Sequence, residues 1–227
     1  YTDLTTAITL LLIGLGTNFF AQVITQPGLS HIYQFFLFAV ILYSTKRIYE
    51  TYSWKQTLLL GISLGLTIII RPSDIFICIF PLLWQAGDAG FRQQFITTLK
   101  THSLKVTTVF ALILVAVFIQ LAYWKLSTNH WYIYTYKREH FNFDNWQIIN
   151  GLFSYRKGWF LYTPLAITGF IGAAFICRSA TLRFYLLPFA LYFAATLYIV
   201  FCWWQWFYGG SFGCRVLIES LVVLALP

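Results

Sequence analysis

The forty-two residues between Asp3 and Lys46 include no Asp, Glu, Lys or Arg. A bilayer crossing needs about 20 apolar residues, so this stretch is long enough for two. Gln26-Pro27-Gly28-Leu29-Ser30-His31 interrupts it, and proline, glycine and polar residues in that order predict a turn. The first segment therefore runs from Leu4 to Thr25 and the second from Ile32 to about Thr45. The alternation then repeats. Lys46, Arg47, Glu50 and Lys55 mark a charged loop. Thr57–Ile70 and Ile75–Gln85 flank Arg71-Pro72-Ser73-Asp74, and each is short for a crossing, which predicts a tight hairpin or one broken helix. Asp88–Lys105 is polar, with Phe91, Phe95 and Leu99 at a spacing of four, the pattern of a helix lying on a membrane surface. Val106–Trp124, Gly158–Cys177 and Phe184–Trp203 are further apolar runs, and another begins at Val216. The expected architecture is all-α: a polytopic integral membrane bundle of about seven or eight hydrophobic segments, a single transmembrane domain over 1–227, with 125–157 as an outer interfacial loop.

Composition narrows the class. Charged residues make up 10% of the chain, against roughly 25% in soluble domains. The aromatic content of 21% suits Trp and Tyr belts at headgroup level. The formal charge of +8 does not indicate nucleic acid, because the basic residues are dispersed among apolar runs and form no soluble basic face. Cys78, Cys177, Cys202 and Cys214 lie far apart without CxxC or Cys/His spacing, so they are expected to be buried free thiols and not metal ligands. The start carries no cleavable signal peptide pattern. With no initiator Met and with an apolar run still open at Pro227, the expectation is a middle or C-terminal segment of a longer protein.

Sidedness follows from parity. If the turn at Pro27 is outside, the loops at Lys46, Asp88 and Arg178 are inside, and those at Pro72, Lys125–Lys157 and Gly209 are outside. The basic residues divide almost evenly on that scheme, so short loops, which carry more weight than the long 125–157 segment, set the expectation.

Several outer-side cations then oppose the usual bias and become candidates for chemistry. Arg71 lies between two apolar segments, Arg156 and Lys157 precede one, and Arg215 begins one. A cation at membrane depth is costly and needs a partner or ligand, and arginine's planar fork suits phosphate. The bland reading pairs Arg71 with Asp74 and lets the others snorkel. His31 could exchange a proton or simply bond the turn backbone. Glu139, His140 and Asp144 could do acid–base work, or be solvated loop groups. Asp74 reads as a helix cap after Pro72, and Glu219, in the last apolar run, should face protein or water. Trp203-Trp204-Gln205-Trp206-Phe207-Tyr208 runs into Gly209, Gly210, Ser211 and Gly213. Trp206 and Tyr208 could stack on a sugar, and the glycines would allow close approach. An interfacial aromatic belt explains the same residues.

Pro27-Gly28-Leu29-Ser30-His31 followed by Tyr33 and Phe35-Phe36, Arg71-Pro72 after the third apolar run, Leu152-Phe153-Ser154-Tyr155-Arg156-Lys157-Gly158, and Trp206-Phe207-Tyr208-Gly209-Gly210-Ser211-Phe212-Gly213-Cys214-Arg215 together resemble the GT-C type bacterial membrane glycosyltransferases, Bacteroidetes members in particular. The resemblance implies transfer of a sugar from a polyprenyl-phosphate donor on the outer face of the bacterial inner (cytoplasmic) membrane. The acceptor hydroxyl would attack the anomeric carbon and displace the lipid phosphate. It also implies a carboxylate, as base or divalent-metal ligand, in an outer loop that would precede Tyr1. Arg71, Arg156, Lys157 and Arg215 would then neutralise the leaving phosphate. The rival expectation is a transporter or flippase for lipid-linked saccharides, which predicts polar residues within several spans and pseudo-symmetric halves. A structural membrane subunit, the third reading, predicts no grouping of basic residues on one face.

Overall fold

The computed structural model describes residues 2–86, 90–134, 136, 139–178 and 183–226. Asp88, named above, lies outside them, as do Lys137 and Arg138 and the side chains of Arg92 and Arg183. All regular structure among the described residues is helical, apart from one isolated antiparallel bridge between Phe141 and Trp203.

The first apolar run is two helices, α1 (Asp3–Gly16) and α2 (Asn18–Thr25), bent by 56°. Thr17 makes the bend. Its backbone is extended, its Oγ1 donates to the Ile13 carbonyl at 2.7 Å and accepts from the Phe19 N–H at 3.2 Å, so one hydroxyl closes one helix and caps the next. The turn at Pro27 leads into α3 (Ser30–Thr51), which ends at Tyr52 in the left-handed region. Ser53 caps α4 (Trp54–Ile70), its Oγ accepting from the Gln56 N–H at 3.4 Å.

Proline at 72 excludes the helical region for Arg71, which adopts φ −153° and ψ 97° and ends α4 there. The chain doubles back as a 3-10 helix, Pro72–Cys78, and α5 (Ile79–Leu83). Arg71 touches His31 at the start of α3, and Pro81 accepts from the Tyr49 hydroxyl near its end, so the two apolar segments form a hairpin, not one broken helix. The 3-10 form rises about 2.0 Å per residue, which lets this short limb travel most of the length of α3.

Helix α6 (Phe91–Thr101) meets α7 (Ser103–Thr128) at His102. Helix α7 runs parallel to α4 and has no buried residue. Its seam is built on Gly61 and Gly65. A Cβ at Gly61 would stand 2.7 Å from Leu112 Cδ1 and 3.2 Å from Val109 Cα, and one at Gly65 2.8 Å from Ala116 Cβ. Small residues four apart let two helices approach this closely.

After the loop, α8 (Ile148–Phe153) and α9 (Trp159–Tyr162) precede α10 (Leu165–Ile176). The run Gly158–Cys177 is thus broken at Thr163-Pro164, where proline cannot donate to a continuing helix. Helix α11 (Leu186–Phe201) lies at the centre, against α5 and the 3-10 segment, and α12 (Ser220–Leu224) follows a single 3-10 turn. Phe38, Ile41, Ile77, Phe80, Trp159, Tyr192, Phe201 and Leu217 form the sealed core.

Helix α7 is long and apolar enough to cross a membrane, and the bent pair α1–α2 makes a second such element if it is one span. The apolar helices Trp54–Ile70, Leu165–Ile176 and Leu186–Phe201 are shorter. Of the four free cysteines, Cys202 and Cys214 are buried and Cys78 partly so, but Cys177 is exposed, against the expectation for it.

Chain direction alternates strictly enough to sort the connections into two ends. At one end the Tyr52 hydroxyl meets Thr98 at 2.9 Å, Tyr52 stacks on His102, and Lys105 Nζ donates to the Tyr52 carbonyl. At the other, the segments around 26–31, 71–74, 139–158 and 203–215 converge.

Candidate functional site

Two clusters of charge occupy that second end. The inner one joins three separate stretches of chain. Pro72 places Arg71 at the mouth of α4, facing α3 and the turn before α12. Its guanidinium donates to Glu219 Oε1, and the same nitrogen lies 3.5 Å from Asp74 Oδ1. His31 Nδ1 stands 3.2 Å from Glu219 Oε2 and 3.1 Å from the Arg71 guanidinium. One ring nitrogen can donate to the carboxylate or accept from the arginine, not both, so the cluster fixes the histidine tautomer through one choice. Glu219 is only 2% exposed, and His31 and Asp74 are buried. Asp74 Oδ2 is buried without a hydrogen-bond partner.

Two expectations change here, and one alternative is met: Arg71 pairs with Asp74, as one of its two readings had it, and with Glu219 as well. His31 bonds this cluster and not the turn backbone. Asp74 is not a cap, because no side chain caps the segment that Pro72 begins. Removing charged groups from water is costly, and mutual pairing offsets that cost. Neighbouring polar contacts brace the cluster. Gln34 Nε2 donates to the Thr67 carbonyl at 3.0 Å and Asn18 Nδ2 to the Cys214 carbonyl at 3.1 Å.

The outer cluster comes from two loops pressed together. Lys157 Nζ donates to the Gly209 carbonyl. Arg156 lies over the Phe207 ring, 3.5 Å from its centroid, a cation–π contact. Tyr162 meets Phe212 edge-on at 5.5 Å. Gly213, at φ 61°, sits so close to Tyr162 that a Cβ would lie 3.0 Å from that residue's own Cβ. Gln26 Nε2 ties the loop to the α2–α3 turn through the Gly210 carbonyl at 3.0 Å. Lys157 has φ 111° and Tyr208 φ 50°, uncommon for residues with side chains, and such strain is held only where the surroundings over-determine it. The Tyr208 hydroxyl donates to the Val200 carbonyl at 2.6 Å, anchoring the loop to α11. Trp206 packs against the core and meets Phe207 edge-on.

No carboxylate pairs with Arg156, Lys157 or Arg215 among the described residues, and Arg215 Nε is buried without a partner. Burial, then the charge of Arg215, lowers the Lys157 pKa below the usual lysine value; burial, then Arg71, lowers that of Arg215. Surplus cations thus crowd one another. An anion would relieve that repulsion and take up the idle donors.

Glu139 and Asp144 stay on the loop; the Glu139 carbonyl accepts from the Tyr134 hydroxyl at 2.5 Å, and Asp144 is exposed. His140 offers its carbonyl to the Trp204 N–H at 3.0 Å. The loop itself is folded against 201–204 and does not trail away. Sequence reasoning missed two things. It did not join Glu219 to Arg71, which only the meeting of α4 with the turn before α12 brings about. It also passed over the amides Asn142, Asn145 and Gln147, whose local density near the aromatics was the available signal. Among the described residues no group of His, Cys, Asp and Glu is arranged to hold a metal ion; Arg71 fills the space between its carboxylates. Compared with protein-family models, curated proteins and solved structures, the chain matches none.

Proposed function

We propose that the protein is a polytopic membrane glycosyltransferase of GT-C type, in which this bundle binds the phosphate of a polyprenyl-phosphate-linked sugar. The carrying observation is the outer cluster: Arg156, Lys157 and Arg215, drawn together by two strained loops and left without carboxylates. A phosphate diester or monoester fits donors that are crowded, partly desolvated and unmatched. Trp206 and Tyr208 pack against the core on the same loop whose Gly209 carbonyl Lys157 engages.

Membrane embedding is supported by the outward apolar surface. Leu4, Leu10 and Leu15 on α1, and Leu104, Leu114, Phe118 and Ile119 on α7, are all more than half exposed. So large an apolar surface is unfavourable in water and neutral in lipid. Helices of 16 or 17 residues reach about 24–26 Å, close to the hydrocarbon thickness. We place the cluster's end at the outer face of the bacterial inner membrane, which agrees with the parity of the loops.

In this reading the bond from the anomeric carbon to the lipid-phosphate oxygen breaks as the acceptor hydroxyl attacks. Arg156, Lys157 and Arg215 hold the phosphate and stabilise the charge it gains on leaving. The inner cluster positions Arg215 by fixing the turn 214–219 against α3 and α4. It does not supply the base, since Arg71 already engages both of its carboxylates.

The test is calorimetric titration of farnesyl phosphate into protein held in nanodiscs, with farnesol as the uncharged control. Phosphate-dependent binding should fall by about 100-fold in the Arg156→Ala, Arg215→Ala variant, as for two charge-assisted hydrogen bonds. Lysine at either position should restore it poorly. Equal affinity of the double variant would remove the phosphate role.

A further inference from the structure

Trp203, Trp204 and Trp206 share a cleft of about 300 Å³ with Asn142, Asn145 and Gln147. That volume is at the lower end for small-molecule sites. The cleft is built, not incidental. The loop 139–147 lies along 201–206, with the Asn142 N–H donating to the Cys202 carbonyl at 2.6 Å and the Gln147 N–H to the Phe201 carbonyl at 2.9 Å. Trp203 is wedged edge-on by Tyr136 and Phe141, at centroid distances of 5.3 and 4.8 Å. Trp204 remains half exposed. The amides are pre-oriented as a row: Gln147 Nε2 donates to Asn145 Oδ1 and Asn150 Nδ2 to Gln147 Oε1, both at 2.6 Å.

Among the described residues no ionisable side chain lines this space. An ionic ligand would find no counter-charge among them, and a wholly apolar one would strand the amides. A pyranose has what the cleft asks for. Its C–H face is weakly positive and lies flat on the negative face of an indole, while its hydroxyls donate and accept and so match neutral amides, which do both. We infer that this cleft binds an uncharged saccharide. Trp206 continues into Phe207, whose ring carries Arg156, so the saccharide would sit next to the outer basic cluster. As part of the proposed function it is the sugar that meets the lipid phosphate there; this role rests on that reading, whereas the binding itself does not.

The experiment is saturation-transfer NMR with matching calorimetry on the protein in nanodiscs, free of glucoside or maltoside detergent, which would compete. The probes are maltotriose, mannotriose and chitotriose, with farnesyl phosphate run separately. At least one trisaccharide should bind saturably, with transfer concentrated on ring C–H protons. Trp204→Ala should weaken it by about tenfold and Trp204→Phe should retain most of it. Because Trp204 is half exposed, an unchanged melting temperature will show that the fold survives. Saccharide binding by protein that ignores farnesyl phosphate supports the cleft and sinks the phosphate reading. No saturable binding by any of the three, or full binding by Trp204→Ala, overturns the inference.

Discussion

The inner cluster of Arg71, His31, Asp74 and Glu219 and the outer cluster of Arg156, Lys157 and Arg215 belong to one end of the bundle and use similar side chains, yet they are opposites. In the first, each arginine contact is a carboxylate or an imidazole of the same chain. In the second, Lys157 meets a carbonyl, Arg156 an aromatic ring, and Arg215 keeps a buried nitrogen without a partner. The contrast teaches that charge in apolar surroundings is not itself a sign of a binding site. What separates a strut from a site is whether the chain supplies its own counter-charge.

The largest expected effect breaks the strut. Glu219→Ala leaves Arg71 buried against Asp74 and His31 alone, a loss of about 3–5 kcal/mol. Thermal unfolding in nanodiscs should show a fall of roughly 6–20 °C, at 2–4 °C per kcal/mol for a chain of this size. Next, the variant lacking all three charges, Arg71→Met with Asp74→Asn and Glu219→Leu, should be more stable than Glu219→Ala, because no uncompensated charge remains. A triple variant worse than the single would mean that the cluster stabilises beyond mutual neutralisation.

The third expectation concerns the outer cluster. Arg156→Ala with Arg215→Ala should change unfolding by no more than about 0.5 kcal/mol per site, and relief of repulsion could make it slightly stabilising. A loss comparable to that of Glu219→Ala would erase the distinction drawn between the clusters. The smallest effect is on pH. Lys157, its pKa lowered by burial and by Arg215, loses its charge at lower pH than an ordinary lysine. Affinity for farnesyl phosphate should therefore decline as pH rises toward 10, earlier than in Lys157→Arg, whose guanidinium keeps its charge.

The apolar runs made the helices legible, and Pro72 and Pro164 mark breaks that proline chemistry requires. Thr17 was not legible as a bend, because nothing in an uncharged run of this length separates a hydroxyl that back-bonds within a helix from one that ends it. Arg156, Lys157 and Arg215 stood out as cations adjoining apolar runs, and the structure brings them onto two neighbouring loops. Arg71 and His31 look the same by that criterion and proved to be engaged. Their partner is 148 and 188 positions away, respectively, a separation at which no local pattern operates. The amides of the 139–147 loop carry no periodicity at all; only the backbone bonding to 201–204 turns them into one face of a cleft.

The span between Arg71 and Glu219 also has a meaning in time. A ribosome adds about 5–20 residues each second, so the 148 positions separating them correspond to roughly 7–30 s of synthesis. Throughout that interval the arginine has emerged and its main counter-ion has not. Asp74, three residues on, is the carboxylate made alongside it. The longer contact in the finished protein is therefore the first one available to the nascent chain, and Glu219 joins it later. Chains stalled before residue 219 should insert far worse with Asp74→Ala, while the same change in the completed chain costs little.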